Sequence, residues 1–435
     1  MLAPLQAHAL WIAALCFLNL IFAGEALEIK VDPLLGNDSL GCNITYPCRT
    51  LAYTVQFLKP STILLATTVF TEPCLVLSDS RGLAIIGIGA VFDCGRRSSN
   101  ASGPAVRIVN SNVTLDGITF QNCVNFNMSG GTGGAVAALN SSLTVRQCIF
   151  LNNTAQSGGA VGLIQGSLRV ESSIFAWNLA TLKSSVVEQA CSSSSATLPP
   201  PITCSSWGGA IAAVDATTLS VSSCNFTNNR VLVMLTASTN GNSAAIGGGG
   251  GLSVFYHGNV SGTKVIAQKN VFQNCSVNIM GGYNIMGGFA TTTGVQYGAG
   301  FGGAVAINIG FSAASLVAND IIVQFMNNSS LYNQVSNSAG TSGYAQGGCY
   351  CFTVGSWSLQ LNGNAAVDSL SLSGLWHETN GNNVSSCSAV VILNMPIGQT
   401  TGANAFGGAF SVMVGHFSFS GSSNSAVLGQ CSALN

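Results

Sequence analysis

A short glycine motif returns along most of this chain and constrains its fold more than any other feature. A Gly-Gly-apolar step recurs, and between its copies lies a Phe that is followed three residues later by Asn or Cys. Such self-similarity is typical of stacked copies of one small unit, in which each copy buries its apolar face on the next. The glycine steps begin at Gly133, Gly158, Gly208, Gly250, Gly302, Gly347 and Gly407. The Phe motifs are Phe120/Cys123, Phe150/Asn153, Phe175/Asn178, Phe226/Asn229, Phe272/Cys275 and Phe325/Asn328.

The unit from Gly133 to Asn153 shows what one copy contains. Apolar and polar residues largely alternate along its second half, and a period of two indicates strands. A unit of two or three short strands joined by tight turns is one coil of a parallel β-helix. The sequence therefore predicts an all-β chain folded as a right-handed parallel β-helix. We expect Phe150, Phe175 and Phe226 to stack in its interior, because offset aromatic packing is favourable.

The chain divides into three parts. Residues 1–24 read as a signal peptide, since the apolar run Ala9 to Ala23 ends in small residues; an uncleaved membrane anchor is the alternative. No later apolar run is as long, so we expect no membrane span after cleavage. Residues 25–61 form an N-terminal cap, in which Thr50 to Leu58 predicts a short amphipathic helix. Residues 62–435 hold the repeats.

Insertions collect after the Phe/Asn motif, so we expect loops to project from one corner of the coils. The longest is 179–207, which includes Cys191 and Cys204. Loops of this length are usually functional or disordered, and we expect this one to contribute to partner binding.

Cysteine usage predicts disulfides. Fifteen cysteines are present, and Cys16 leaves with the signal peptide, so an even number remains. Near neighbours in sequence are the first candidates for pairing. No Cys-x-x-Cys spacing occurs and His is scarce, so we expect no metal site and no cofactor. The candidate pairs are Cys42 with Cys48, Cys74 with Cys94, and Cys191 with Cys204.

Acceptor sites for N-glycans are dense, although a chain rich in Asn, Ser and Thr also creates such sites by chance. In an exported eukaryotic chain several of them should be occupied. The candidates are Asn37, Asn43, Asn100, Asn112, Asn127, Asn140, Asn152, Asn225, Asn259, Asn274, Asn327, Asn328 and Asn383.

Charge is scarce, which limits the functions open to the chain. Only 6% of residues are charged, and no Lys or Arg follows Lys269. A basic stripe for phosphates is therefore lacking, which argues against nucleic-acid binding. Glycoside cleavage needs paired carboxylates, and the acidic residues look scattered, as do His257, His377 and His416. The weak catalytic alternative is Asp368 with His377 and Glu378.

The alternating Gly-Gly-Ala and Phe-x-x-Asn motifs, from about Phe120 to Ala409, resemble the repeats of chlamydial polymorphic outer membrane proteins. The segment Gly36 to Leu58 resembles the first coil of secreted right-handed β-helix proteins of the pectin-lyase-like type. The resemblance implies a surface or secreted β-helix, often with an adhesive role.

The sequence therefore favours a secreted or cell-surface glycoprotein that is a non-catalytic scaffold for adhesion or for matrix or carbohydrate binding. Its partner would be an extracellular glycan or protein, and end-to-end self-association is a further option for an exposed sheet edge. The alternative is a carbohydrate-active enzyme of polysaccharide lyase, hydrolase or epimerase type on the same fold.

Overall fold

The computed structural model describes residues 27–39, 41–96, 103–126, 131–181, 205–236, 243–258, 260–283, 296–309, 315–338, 342–354, 357–360, 369–373, 376–391, 403–406, 410–414 and 417–420. These residues are almost all β-structure, and neighbouring strands pair in parallel from the first coil to the last. The prediction of a parallel β-helix is confirmed.

The first coils pass through two sheets, which we call sheets 1 and 2; sheet 3 begins at Val124–Asn125, and the later coils add sheet 4. Strands that are neighbours in a sheet belong to successive coils. Sheet 1 contains Glu28–Val31, Thr62–Leu65, Leu75–Ser78, Arg81–Ile86, Val106–Val109, Asn112–Asp116, Val136–Arg146, Val161–Glu171, Ile211–Ser222, Leu252–Tyr256, Lys264–Gln268, Val305–Ile309, Ile322–Met326, Tyr350–Val354, Trp376–Asn380 and Phe410–Val414. Sheet 2 contains Val69–Phe70, Val91–Asp93, Thr119–Gln121, Ile149–Leu151, Ile174–Ala176, Asn225–Thr227, Val271–Gln273, Ser329–Leu331 and Asn383–Ser385.

The remaining sheets are shorter. Sheet 3 contains Val124–Asn125, Thr154–Ala155, Leu179–Thr181, Arg230–Thr236, Ser276–Tyr283, Gln334–Ser338 and Ser388–Val391. Sheet 4 contains Ser205–Trp207, Ser243–Gly248, Gln296–Phe301, Ser342–Gln346 and Ala403–Phe406. Two small sheets pair Val260–Ser261, Ser315–Asn319 and Ser369–Ser373, and Trp357–Gln360 with Phe417–Ser420.

Sheet 2 supplies the central stack of the core. Its short strands each place one Phe inward, and the rings stack from coil to coil at centroid separations of 4.7–5.3 Å. These side chains are buried, so the predicted internal stack is confirmed. The stacked rings are Phe70, Phe92, Phe120, Phe150, Phe175, Phe226 and Phe272.

The stack ends at Phe272, and here the sequence motif was misleading. Ser330 is the residue of the next coil that pairs with Phe272, whereas Phe325 lies in sheet 1. The hydroxyl of Ser330 donates a 2.6 Å hydrogen bond to the Tyr350 hydroxyl, and the Tyr350 ring packs against both Phe272 and Phe325. The prediction that Phe325 and Asn328 repeat the motif is therefore wrong.

The glycine step marks the turn into sheet 1, and its two glycines serve different purposes. Gly133 has a φ of 71°, which is the left-handed region that glycine adopts without a steric penalty. A Cβ on Gly134 would overlap the carbonyl oxygen of Gly159 in the next coil. In the fourth copy these roles fall to Gly249 and Gly250, one residue earlier than the sequence motif placed them.

Two tight turns bracket the sheet 2 strands, and buried polar side chains satisfy their backbone groups. At the second turn, Asn153, Asn178 and Asn229 form a ladder. Each amide nitrogen donates to the carbonyl oxygen of the Phe one coil earlier, at 2.9–3.1 Å. The Oδ1 atoms of Asn178 and Asn229 each accept the backbone N–H and the amide N–H of the preceding ladder residue. The same type of bonding joins Cys275 to Asn333.

A second ladder lies at the first turn, between sheets 1 and 2. The backbone N–H of Asn270 donates to Oδ1 of Asn328 at 3.0 Å, and that of Asn328 donates to Oδ1 of Asn382 at 2.9 Å. Asn328 is a core residue of this ladder, which explains why it follows a Phe that is not in the stack.

From the coil of Leu179–Thr181 onward, the insertions build a layered extension. Sheet 4 lies between sheets 3 and 1, with an apolar cluster on each of its faces. Between sheets 3 and 4 lie Ala180, Val231, Val233, Val277, Ile279, Val335 and Ala345. Between sheets 4 and 1 lie Trp207, Ala212, Ile246, Phe255, Ala299, Phe301, Ala306 and Cys351.

The predicted 179–207 loop is shorter than the sequence suggested. Leu179–Thr181 and Ser205–Trp207 are strands of sheets 3 and 4, and Trp207 is buried. Cys191 and Cys204 lie outside the described residues. The insertion itself leaves the coil between sheets 3 and 4, as do those after Arg230–Thr236, Ser276–Tyr283 and Ser388–Val391. Later coils also insert residues within sheet 1, between Val305–Ile309 and Ile322–Met326 and between Tyr350–Val354 and Trp376–Asn380, so the insertions do not all leave from the one predicted corner.

The N-terminal segment is already part of the first coil, which begins earlier than residue 62. Glu28–Val31 pairs in parallel with Thr62–Leu65. Between them lies the predicted helix, which comprises Leu51–Tyr53 and the π-helical turn Thr54–Leu58. The Thr50 hydroxyl accepts a hydrogen bond from the backbone of the first turn and caps this helix. Its apolar face packs against the core.

Disulfides join Cys42 to Cys48, one of the three candidate pairs, and two pairs that the sequence did not suggest. Cys94 bonds with Cys123 rather than with Cys74, because the coils stack Cys94 directly against Cys123 with a Cα separation of 4.7 Å. The last pair in the described residues is Cys349 with Cys387. Four further cysteines are buried free thiols: Cys148, Cys224, Cys275 and Cys351.

We expect Asn229→Ala to destabilise the fold by about 3 kcal/mol, because it leaves several buried backbone and amide groups unsatisfied at about 1–3 kcal/mol each. Asn228→Ala is the matched control, since this half-buried neighbour has a left-handed φ of 55° but is not part of the ladder. It should cost about 1 kcal/mol. Chemical denaturation measures both, and equal costs would contradict the ladder's structural role.

Burial raises the pKa of the Cys148, Cys224 and Cys275 thiols to about 12, so their reactive thiolate forms are scarce at neutral pH. In native protein we expect these thiols to resist iodoacetamide. After denaturation without reductant they should react, whereas the three disulfide pairs should not. Peptide mass mapping distinguishes the two groups. Rapid labelling of Cys275 in native protein would show that the coil is more open than the structure indicates.

Candidate functional site

A line of mostly exposed residues lies in the second turn of successive coils, directly after the sheet 2 strands, and we call it the asparagine ridge. Its members share a left-handed backbone, with φ between 52° and 60°. Neighbouring members are about 4.8 Å apart, because each directly follows one of a series of adjacent parallel strands. In chain order the ridge is Asn122, Asn152, Trp177, Asn228, Asn274, Tyr332 and Ser386.

Two ridge positions hold aromatic rings that face solvent. Trp177 is 64% exposed and Tyr332 is 57% exposed. Asn tolerates the left-handed region far better than bulky residues, for which it is strained by about 1–3 kcal/mol. Stability alone would favour Asn at both positions, so the requirements of the fold do not explain these exposed rings. The rings are three coils apart, or roughly 14 Å.

The surface beside the ridge is partly apolar. Val124, Ile174, Met234, Val271 and Met280 on sheets 2 and 3 are between 39% and 47% exposed. The ridge itself carries amide side chains, and Asn152 donates a 2.9 Å hydrogen bond to Asn122 across the coils. Together these groups offer apolar contact and hydrogen-bonding partners on one face.

A second surface feature is a row of charges on the outer face of sheet 1. Asp116, Arg146 and Glu171 occupy matching positions of successive coils. Arg146 Nε lies 3.2 Å from Glu171 Oε2, and Arg169 also forms an ion pair with Glu171. These acidic residues look scattered in the sequence, but the structure places them in one row.

The structure also pairs Asp215 with His257, two residues that look isolated in the sequence. His257 Nδ1 lies 3.1 Å from Asp215 Oδ2, and the His257 backbone N–H donates to Oδ1 at 3.0 Å. Burial opposes ionisation of Asp215, but the hydrogen bonds from His257 outweigh it and hold the pKa of the carboxyl below its usual range. The pair lies where sheet 1 strands bend, since Asp215 has a φ of 50°.

Of the candidate catalytic residues Asp368, His377 and Glu378, the structure describes a side-chain contact for Glu378. Asp368 lies outside the described residues. His377 and Glu378 are consecutive residues of strand Trp376–Asn380, whose positions alternate between the two faces of the sheet. Oε2 of Glu378 accepts a 2.9 Å hydrogen bond from Gln324.

The N-glycan candidates differ in their access to solvent. Asn328 is fully buried, and its amide donates to the Ala267 carbonyl oxygen and to Asn382, so this residue cannot accept a glycan in the folded chain. Asn100, Asn127 and Asn259 lie outside the described residues. The exposed candidates are Asn37, Asn43, Asn112, Asn140, Asn152, Asn225, Asn274, Asn327 and Asn383.

No family model, curated protein or solved structure matches the chain. Among the described residues, no group of three or more His, Cys, Asp or Glu side chains is placed to hold a metal ion. The described part of the chain also contains no helix long and apolar enough to cross a membrane.

We expect the Asp215–His257 pair to make stability depend on pH. Because the folded pKa of Asp215 is lowered, the pair stabilises above the unfolded value of about 4, and this contribution is lost as pH falls through the folded value. His257→Asn should reduce the stability that the chain loses as pH falls below about 4, by under about 1 kcal/mol because both side chains are partly exposed. Denaturation midpoints at several pH values measure it. Tyr46→Asn, at a residue that is 72% exposed, is the control and should leave the pH profile unchanged. A His257→Asn variant with the same pH profile as the unmodified chain would contradict the prediction.

Proposed function

We propose that the protein is a secreted or cell-surface glycoprotein, and that its β-helix is a non-catalytic scaffold that binds neutral carbohydrate along the asparagine ridge. The observation that carries this proposal is the exposure of Trp177 and Tyr332 at left-handed positions where neighbouring coils mostly have Asn. Both rings leave more than half of their surface exposed, so burial alone gives little reason for an aromatic residue at these positions.

The chemistry of the ridge suits a sugar. The flat faces of Trp and Tyr pack against the apolar face of a sugar ring, and they do so with little loss of side-chain entropy. The flanking amides of Asn152, Asn228 and Asn274 can both donate and accept hydrogen bonds, as hydroxyl groups require. The ridge residues are uncharged, which favours a neutral glycan over an acidic one.

The spacing of the rings favours an extended oligosaccharide. A ligand that contacts both Trp177 and Tyr332 must span roughly 14 Å along the stacked coils. The second contact is then intramolecular, so an oligomer that reaches both rings should bind more tightly than a single sugar.

Export is supported by three features. The apolar run Ala9 to Ala23 resembles a signal peptide, disulfides persist mainly in oxidising compartments, and exposed N-glycan acceptor sites are numerous. The resemblance of the repeats to chlamydial surface proteins and to secreted pectin-lyase-like proteins agrees with this location.

A carbohydrate-active enzyme is the second candidate, and the charge row on sheet 1 favours it. Asp116 and Glu171 lie on either side of Arg146, so their backbones are roughly 10 Å apart. Paired carboxylates act in glycoside cleavage at about 5–9.5 Å. Arg146 and Arg169 both form ion pairs with Glu171, however, so a structural role is enough to explain the charge row.

We expect Trp177→Asn to weaken oligosaccharide binding by about 30-fold, the effect of losing an aromatic anchor worth about 2 kcal/mol. Tyr332→Asn should act in the same direction. Both changes should leave stability unchanged or raise it by about 1 kcal/mol, because Asn suits the left-handed turn. Titration calorimetry with chitopentaose and cellopentaose, beside denaturation curves, measures both effects.

Tyr46→Asn is the matched control, since Tyr46 is 72% exposed but lies far from the ridge in sequence and fold. Its affinity should equal that of the unmodified chain. Two results would contradict the proposal. One is that the Trp177→Asn and Tyr332→Asn variants bind oligosaccharide as tightly as the unmodified chain. The other is polysaccharide turnover that Glu171→Gln abolishes.

A further inference from the structure

The order of residues along the asparagine ridge repeats every three coils. An Asn outside any N-x-S/T sequence comes first, then an Asn that begins one, and then an aromatic residue. The first triplet is Asn122, Asn152 and Trp177, and the second is Asn228, Asn274 and Tyr332. Each exposed ring therefore has an N-glycan acceptor one coil before it, at the same ridge position.

Backbone hydrogen bonds fix this proximity. The N–H of Asn152 donates to the carbonyl oxygen of Ala176, the residue before Trp177, at 3.1 Å. The N–H of Asn274 donates to the carbonyl oxygen of Leu331, the residue before Tyr332, at 3.0 Å. Adjacent strands are about 4.8 Å apart, so a sugar attached to either Asn starts beside the ring.

Both asparagines are available for modification. Asn152 and Asn274 are exposed. Asn152 donates one amide hydrogen to Asn122, which leaves the other to be replaced by a sugar. The ladder asparagines one residue further along, such as Asn153, are fully buried and have no such access.

We infer that N-glycans on Asn152 and Asn274 lie over Trp177 and Tyr332 and thereby block the ridge to external carbohydrate. This inference rests on the proposed function, since it assigns a regulation to the same surface. A ring that packs against a free sugar also packs against the first N-acetylglucosamine of a neighbouring glycan. A tethered ligand has an effective concentration on the order of millimolar, which exceeds that of a dilute free ligand.

The consequence is two forms of one surface. Chains that are glycosylated at both positions display hydroxyl-rich glycans along the ridge and bind external sugars weakly. Chains that lack these two glycans display bare rings and bind extended oligosaccharides. Site occupancy during secretion then sets how much of the protein can bind.

The test uses full-length protein secreted from a glycosylating host. Thr154→Ala and Ser276→Ala remove the two acceptor sequences and leave every ridge residue in place. Thr154→Ser and Ser276→Thr are the matched controls, because they keep the acceptor sequences. Glycopeptide mass spectrometry gives the occupancy of Asn152 and Asn274. Hydroxyl-radical oxidation then reports how accessible Trp177 and Tyr332 are, with Phe57, which is 56% exposed, as the internal reference.

We expect oxidation of both rings to rise several-fold in the Ala variants and to remain low in the Ser and Thr controls. Trimming each glycan enzymatically to a single N-acetylglucosamine should keep the rings protected. Chitopentaose affinity should be about tenfold higher for the double Ala variant. Lack of glycan at Asn152 and Asn274 overturns the inference, as does equal oxidation with and without glycan.

Two outcomes separate the inferred glycan block from the proposed carbohydrate binding. If the rings become exposed in the double Ala variant but no oligosaccharide binds, then the N-glycans do cover the rings and the proposed carbohydrate binding is refuted. Equal chitopentaose affinity of the glycosylated and double Ala proteins would refute the block and leave carbohydrate binding standing.

Discussion

The two tight turns that bracket the sheet 2 strands determine how this β-helix holds together. Each turn takes one residue through the left-handed region and leaves backbone N–H and C=O groups in the interior, where strand pairing does not reach them. Asparagine satisfies these groups, because its oxygen accepts from the coil before it and its amide donates to the coils on both sides. The buried Asn178 does so: its oxygen accepts from Asn153, and its amide donates to Phe150 and Asn229. The stack of Phe rings depends on these turns, since they set the angle at which each short strand presents its ring to the core. An aromatic stack alone would fix neither the register of the coils nor the direction of the chain.

Sequence patterns predicted the fold class, the capping helix and the Phe150–Phe175–Phe226 stack, because these follow from spacing within one coil. They failed where the answer depends on spacing between coils. Phe325 followed by Asn328 matches the motif letter for letter, yet Asn328 belongs to the ladder of the first turn, and both turns use the same residue type. Cys94 meets Cys123, 29 residues away, since one coil returns the chain to the same corner. Asp215 and His257 are 42 residues apart and likewise meet only once the coil length is known.

The extension of sheets 3 and 4 shows why insertions at one corner need not remain irregular. Arg230–Thr236 is a run of apolar and β-branched residues long enough to bury a face of its own, and the returning sheet 4 strands cover it. Sheet 4 then has neighbours on both faces, which limits the size of its side chains. A Cβ on Gly247 would already meet Val231 and Ile279 at 3.0 Å. The abundance of glycine and alanine in this half of the chain follows from that three-layer packing, and composition alone could not have separated it from low-complexity sequence.

The asparagine ridge and the asparagine ladder are one residue apart in each coil, so an exposed ridge position can change while the buried ladder position stays the same. Asn178 is buried and bonded on both sides, so the fold tolerates little change there. Trp177 has its backbone fixed by the same turn, while its side chain points into solvent and costs only local strain. A coil can therefore exchange Asn for an aromatic residue at the ridge without disturbing the core beneath it. Since neighbouring coils are stacked at a constant spacing, such exchanges place binding groups at fixed intervals along a rigid surface. Binding of a ligand that matches this interval costs little conformational entropy in the protein, because the scaffold is already ordered before the ligand binds.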